Sequence, residues 1–239
     1  MRDLVAAELK KLTSTRWIYL LAVGVVGLSV VSVLDPGRDA AMFEKPFHEQ
    51  TFVLFASLLT RVLVFVMGVR VMTDELRHGT IVPTLLVTPR RNRVLAAKVV
   101  AAAGAGAVLA LTGWAAMTAA AGAAASSEGT SLALDASLWR SLAGTLGAGA
   151  AWGVIGVGVG TVVRSQVAAT VGGLVWLMAL EDGVKSWLGD LGGYLPGQAG
   201  LAVAMGLPGR ALAIAGTTLA AYATASFAAS RVAIRRDVT

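Results

Sequence analysis

The chain has 239 residues, of which 56% are hydrophobic and 14% are charged, and its mean hydropathy is +0.73. Because a soluble domain carries nearer a quarter charged residues, this composition argues against a soluble protein and indicates an integral membrane protein. The 20 basic and 14 acidic side chains give a net charge of +6. The basic residues lie beside apolar runs, which indicates charge that sets membrane topology rather than nucleic-acid binding. Cysteine is absent, which excludes disulfides and thiolate metal sites.

The first predicted element is a short amphipathic helix over residues 2–15. Leu4, Val5, Leu9 and Leu12 recur there at helical spacing, with charged residues on the opposing side. A helix of this kind lies in the membrane interface, with its apolar face toward the lipid. We therefore expect it to lie along the inner leaflet, ahead of the first membrane span.

Six apolar runs follow, and they predict an all-α integral membrane protein with a single transmembrane domain over residues 1–239. A helix needs about 20 residues to cross the hydrocarbon core. Lysine and arginine are concentrated in the segments that would share a side with both termini, so both termini are predicted to be cytoplasmic, in the cell membrane. The predicted spans are residues 17–34, 52–72, 94–125, 138–163, 167–180 and 211–229.

The segment between the fifth and sixth runs, residues 181–207, contains apolar patches that are too short to cross the membrane. Gly192-Gly193 and Pro196-Gly197 interrupt it. Two interpretations stay open for this segment. It forms either a re-entrant or interfacial pair of helices on the outer face, or an ordinary loop.

Arg61 is the one charge predicted at mid-membrane, within the second run. A central arginine costs at least about 2.5–3.5 kcal/mol on insertion scales, so it is not expected to face lipid. Three interpretations stay open. Arg61 pairs with backbone carbonyls or a polar neighbour, or it lines a water-filled translocation path, or the helix is shifted and the side chain reaches an interface.

Glycines within the fourth and fifth runs predict close helix packing. The fourth run contains two G-x-x-x-G patterns, which let helix backbones approach one another. They serve either packing inside the chain or a contact between two copies. The glycines concerned are Gly149, Gly153, Gly156 and Gly160 in the fourth run, and Gly172 and Gly173 in the fifth.

The sequence predicts no catalytic, cofactor or metal site on this chain. It contains no G-x-x-x-x-G-K-[ST] pattern, so it carries no phosphate-binding loop of its own. His48 and His78 are the two histidines, and Phe52 stands where H-E-x-x-H would require a second ligand after His48.

The loop between the second and third runs is longer than a simple turn requires. Gly79 is predicted to end the preceding helix in a left-handed cap, and Thr80 to start a new short helix that Thr88-Pro89 terminates. That helix has Ile81, Leu85 and Leu86 on one face. These apolar side chains lie either in the lipid interface or against a partner protein.

Several short motifs resemble the permeases of type-2 ATP-binding-cassette exporters. One is Glu8-Leu9-x-Lys11-Leu12 before the first run, and another is Tyr194-Leu195-Pro196 before the sixth. A third lies in the loop that follows the second run. Its matching residues are Glu75, Arg77, Gly79, Thr80, Leu85, Leu86, Thr88, Pro89, Arg90 and Lys98.

This resemblance implies six membrane helices, an N-terminal elbow helix, and a cytoplasmic coupling helix that docks on a separate ATPase subunit. The implied partners are two copies of the ATPase subunit, which hold the ATP and Mg, and a second permease subunit, which forms a homodimer or heterodimer with this chain. Membrane lipid is the third implied partner. The resemblance leaves the substrate open. It assigns the coupling role to Asp74, Glu75, Arg77, Gly79, Thr80, Leu85 and Leu86.

Two other functions remain as alternatives. The chain is an accessory or immunity-type membrane protein without transport of its own, or a secondary carrier. A carrier would need carboxylates inside the membrane to couple ions. The cores of the six runs contain none, which counts against a carrier.

Overall fold

A computed structural model describes residues 1–34, 49–80, 83–84, 86, 90–127, 129 and 135–235. Every regular element among these residues is helical, which confirms the predicted all-helical class. The helices are α1 Arg2–Ser14, α2 Arg16–Leu34, α3 Glu49–Arg77, α4 Arg91–Ser127, α5 Ala136–Val163, α6 Gln166–Val175, α7 Glu181–Leu188, α8 Pro196–Ala204 and α9 Arg210–Arg235. A π-helical segment, Trp176–Leu180, joins α6 to α7, and a 3₁₀ segment, Gly189–Tyr194, follows α7.

Five helical stretches in the described part of the chain are long and apolar enough to cross a membrane. They are Arg16–Val33, Arg91–Ser127, Ala136–Val163, Gln166–Tyr194 and Arg210–Ile234. They correspond to the first, third, fourth, fifth and sixth predicted runs, so the chain is a multi-pass membrane protein. The second run lies in α3, whose 29 residues measure about 43 Å at 1.5 Å per residue. A sixth span and cytoplasmic termini stay predictions.

Helices α3, α4 and α5 pack against one another and form the centre of the molecule, with α5 also contacting α8 and α9. Glycines permit this close approach. A methyl group at Gly149 would lie 2.6 Å from the carbonyl oxygen of Gly106, and one at Gly156 would lie 2.9 Å from the Cα of Gly68. Because these distances are shorter than real carbon contacts, a side chain at either position would force the helices apart.

The break between α5 and α6 falls where the sequence predicts it. Arg164 caps α5 in the left-handed conformation, with φ of 59°, and its N–H donates to the carbonyl of Gly160 at 3.0 Å. Ser165 then caps α6, since its side chain accepts from the N–H of Ala168. Two separate helices therefore follow one another here, with Arg164 kept at their junction.

The helix that begins at Gln166 does not end at Leu180, where the predicted fifth span ends. It continues through a π-helical turn into α7, whose first residue, Glu181, is buried. Its Oε1 accepts the N–H of Gln198 at 2.8 Å. Residues 181–194 and 196–204 are thus helical, with Leu195 in an extended conformation between them. Their position relative to the membrane remains a prediction.

Candidate functional site

The end of α3 has the geometry that the sequence predicts for a glycine cap. Gly79 has a φ of +67°. Its N–H donates to the carbonyl of Leu76 at 3.4 Å, and the N–H of Thr80 donates to the carbonyl of Glu75 at 3.1 Å. This pair of bonds is the Schellman motif, which satisfies the last carbonyls of a helix and turns the chain sharply. The motif therefore ends α3 at this point.

Two hydrogen bonds join Thr84 to Thr80, just after this cap. The N–H of Thr84 donates to the carbonyl of Thr80 at 3.4 Å, and its hydroxyl donates to the same oxygen at 3.0 Å. Leu86 is 77% exposed, so it is free to contact another molecule. Leu85, Thr88 and Pro89 lie outside the described residues.

Immediately before this cap, Glu75 is part of a cluster of four charged side chains, of which Glu8, Glu75 and Lys98 are buried and Lys11 is 48% exposed. Lys98 Nζ of α4 lies 2.7 Å from Glu75 Oε1 and 2.9 Å from Glu8 Oε2 of α1. Lys11 Nζ lies 2.7 Å from Glu8 Oε1 and 2.7 Å from Glu75 Oε1. The cluster thus joins α1, α3 and α4 through two lysines that are each shared by two carboxylates.

Burial makes this cluster different from surface ion pairs. Lys98 is 1% exposed, Glu8 6% and Glu75 8%. Buried charges are tolerated only when each is paired, and removing one partner leaves an uncompensated charge in a medium of low polarity. The four side chains are therefore mutually dependent.

The electrostatics favour the charged forms. Burial alone would raise the pKa of Glu75, but its interaction with Lys98 and the hydrogen bonds from Lys11 and Lys98 outweigh burial and hold that pKa below its ordinary value. Burial alone would lower the pKa of Lys11, but hydrogen bonds to Glu75 and Glu8 raise it above the ordinary lysine value. At neutral pH, Glu75 and Lys11 are therefore ionised.

A second set of contacts ties α2 to the same end of α3. Arg70 Nε lies 3.2 Å from Asp74 Oδ2, one helical turn away. The Arg70 guanidinium also lies over the Trp17 ring, 4.4 Å from its centroid, which is within the range of a cation–π interaction. The last turns of α3 are thus held by α1, α2 and α4. Among the other predicted coupling residues, Arg77 is on the exposed side of α3.

Arg61 lies elsewhere on α3, 14 residues before Glu75 and therefore about 21 Å away along the helix. Its NH1 donates to the carbonyl of Gly197 in α8 at 2.6 Å, and the residue is 7% exposed. Glu181 and Asp182 exert an attractive charge interaction on it. The structure therefore has Arg61 paired with a backbone carbonyl, which is the geometry of the first of the three interpretations.

The glycines singled out in the sequence have different surroundings. Gly149, Gly153, Gly156 and Gly160 all lie against α3 or α4 of the same chain. In α6, Gly173 lies against the ring of Phe65, whereas a methyl group at Gly172 would meet nothing within 4 Å. Among these six glycines, Gly172 is thus the one that has space beside it for a group that is not among the described residues.

Sequence reasoning did not find the pairing of Lys98 with Glu8 and Glu75. One signal was present, since Lys98 stands within the apolar run 94–125, and a charge inside such a run needs a partner. The choice of partner could not be read, because Glu8 is 90 residues away along the chain. No cluster of metal-binding side chains occurs among the described residues.

A family model described as ABC-2 family transporter protein matches residues 4–179, from α1 to the π-helical segment. The charged cluster and the glycine cap lie inside the matched region, whereas Tyr194-Leu195-Pro196 lies beyond it. No protein of curated function matches the chain. On the extent of the family match, the chain belongs to the ABC-2 family of transporter proteins.

Proposed function

We propose that the chain is the permease subunit of an ATP-binding-cassette exporter, and that residues 74–86 couple it to a separate ATPase subunit. Membership of the ABC-2 family supports a membrane component of such a transporter with its ATPase on another chain. Export, the coupling segment and the copy numbers belong to the proposal.

The observation that carries the proposal is the link between Glu75 and Lys98. Glu75 precedes the glycine cap by four residues, and Lys98 holds it against Glu8. A displacement imposed on the segment after Thr80 would therefore reach α3 through the cap and α1 and α4 through the cluster. Such rigid attachment suits an element that passes motion from an ATPase to membrane helices.

The translocation path would form between two permease subunits. In our proposal the second copy, or a related chain, packs near the second and fifth predicted spans, α3 and α6. The exposed face formed by α6 and the π-helical segment supports this placement. Its apolar side chains are exposed, and a methyl group at Gly172 would meet nothing within 4 Å. The exposed side chains are Val167, Val171, Val175 and Met178. The rest of the membrane-spanning surface would face lipid.

The experiment is purification of the chain from its native membrane in mild detergent, followed by identification and mass measurement of the particle. We expect an ATPase subunit in two copies and two permease subunits. ATP hydrolysis should require Mg and should be absent from the permease alone. Isolation as a lone chain would contradict the proposal and favour an accessory membrane protein.

A further inference from the structure

The end of α9 is held by two arginines from distant parts of the chain. The guanidinium of Arg91, at the start of α4, donates to the carbonyl of Ile234 at 3.0 Å. The guanidinium of Arg164, at the junction of α5 and α6, donates to the carbonyl of Ala233 at 3.0 Å. Basic side chains often bond to the last carbonyls of a helix in this way. Because the two carbonyls belong to consecutive residues, both guanidinium groups lie beside the same turn of α9.

These two contacts bring the ends of four apolar helical stretches to one side of the molecule. A residue at the boundary of such a stretch lies at the level of the lipid headgroups, since the hydrocarbon core takes up the stretch itself. Arg91 and Arg164 both stand at such boundaries. The four stretches that begin or end beside them are Arg91–Ser127, Ala136–Val163, Gln166–Tyr194 and Arg210–Ile234.

The three segments that meet here carry a strong positive charge, which we call the arginine patch. Residues 90–97, 160–168 and 226–234 contain no aspartate or glutamate. A carbonyl oxygen has no formal charge, so the bonds to α9 neutralise neither of the two arginines that make them. The arginine patch consists of Arg90, Arg91, Arg93, Arg164 and Arg231.

The buried carboxylates at this end of the molecule do not neutralise the arginine patch. Glu8 and Glu75 meet Lys98, which lies seven residues after Arg91 and therefore about 10 Å further along α4. Both carboxylates are also paired with Lys11. Two lysines balance two carboxylates there, so the positive charge of the patch is left in place.

We propose that the arginine patch binds the phosphate of an anionic lipid, in the leaflet that contains these helix ends. A guanidinium group binds phosphate through paired hydrogen bonds and stays charged at neutral pH. Each arginine near an anionic leaflet contributes about a fivefold gain in affinity. An acidic surface of a partner protein is the alternative occupant, but the position of the patch at the boundaries of four apolar stretches favours the lipid.

A bound headgroup would join helices that are distant in sequence. It would lie beside the start of α4, the junction of α5 and α6 and the end of α9, which the two arginine bonds already bring together. The site lies outside residues 74–86 and does not depend on the coupling proposal.

Native mass spectrometry of the full chain in mild detergent, titrated with phosphatidylglycerol, tests the site. Arg90→Gln combined with Arg93→Gln removes two exposed charges from the patch and keeps both bonds to α9. Arg140→Gln combined with Arg210→Gln is the matched control, because it removes two exposed arginines near the opposite ends of α5 and α9. We expect the first pair to weaken binding of the first lipid at least about tenfold, and the control pair to leave it unchanged. Equal affinities in the two variants would overturn the proposal.

Three further measurements separate the possible ligands. The wild-type chain should bind phosphatidylcholine more weakly than phosphatidylglycerol, because the choline headgroup has no net charge, and equal affinities would overturn the proposal. An excess of inorganic phosphate should leave the lipid bound, whereas displacement would assign the patch to free phosphate. Unchanged phosphatidylglycerol affinity of the Arg90 and Arg93 variant, together with loss of a copurifying protein, would assign the patch to that protein and overturn the lipid site.

Discussion

Lys98 Nζ of α4 lies 2.7 Å from Glu75 Oε1 of α3, and the two side chains are 1% and 10% exposed. The same ammonium lies 2.9 Å from Glu8 Oε2 of α1. Three helices that are distant in sequence therefore meet at one buried cation. Its partner Glu75 lies four residues before Gly79, the glycine cap that ends α3. This arrangement holds the end of α3 against α1 and α4.

The first prediction concerns removal of that cation. Lys98→Met keeps much of the side-chain volume but leaves Glu8 and Glu75 with Lys11 as their remaining partner. Breaking a buried ion pair by removing one partner costs about 3–5 kcal/mol, so the folded yield and the apparent Tm in detergent should fall sharply. Lys10→Met changes an exposed lysine of α1 and should leave both unchanged. Equal effects of the two substitutions would contradict the cluster's role.

The second prediction concerns pH. The native pKa of Glu75 lies below its ordinary value, so its contribution to stability is present above the ordinary glutamate pKa of about 4.3. That contribution is lost as pH falls through the lower native pKa. The raised pKa of Lys11 has its effect at alkaline pH. The contribution of Lys11 to stability is lost only as pH rises beyond the ordinary lysine pKa.

Thermal unfolding between neutral and acidic pH measures this effect. The apparent Tm of the wild-type protein should not change with pH near neutrality, and it should decline below pH about 4.3. Glu75→Gln should be less stable at neutral pH and should lose less on acidification. An identical acid-induced loss in both proteins would show that Glu75 does not titrate in the way described.

The third prediction uses two glycines with opposite surroundings. At Gly156 a methyl group would lie 2.9 Å from the Cα of Gly68, and overpacking of this kind costs about 1–3 kcal/mol. At Gly172 a methyl group meets nothing within 4 Å, and alanine gains up to about 1 kcal/mol of helix propensity. Gly156→Ala should therefore lower the apparent Tm, and Gly172→Ala should keep or raise it. A reversed order would contradict the packing of α3 on α5.

The fourth prediction concerns Arg61. Arg61→Met removes the donor to the carbonyl of Gly197, and a buried acceptor left unpaired costs about 1–3 kcal/mol. We expect less folded protein and a lower apparent Tm, with Arg210→Met as the control because Arg210 is exposed. Normal assembly with loss of substrate-stimulated ATP hydrolysis would instead place Arg61 in the translocation path. Unchanged assembly and transport would contradict both roles.

The sequence predicted the fold well wherever a local pattern determines it. The helix of residues 2–14 follows from apolar periodicity, the left-handed cap at Gly79 from the backbone preference of glycine, and the break at Arg164 from a charge that interrupts an apolar run. The family could also be inferred from short motifs, and the match over residues 4–179 confirms it.

Features that depend on contacts between distant residues could not be read in the same way. One example is Glu181, just past Leu180, which is buried and accepts a hydrogen bond from Gln198 of α8. The partners of Lys98 and of Arg61 are likewise set by helix packing, because each lies on a different helix far along the chain. Periodicity locates a buried face, but it does not say which neighbour covers that face.

Association with the ATPase tests the central claim most directly. The wild-type chain, Leu85→Asp and Leu86→Asp would be purified with the partner ATPase, with Thr13→Asp on the exposed side of α1 as the control. A charge buried unpaired at a contact costs several kcal/mol, and about 1.4 kcal/mol is a tenfold change in affinity. We predict at least a tenfold loss of bound ATPase for the Leu85→Asp chain, with membrane insertion intact and Thr13→Asp unaffected. Full ATPase association and full transport by Leu85→Asp would show that this segment is not the coupling element.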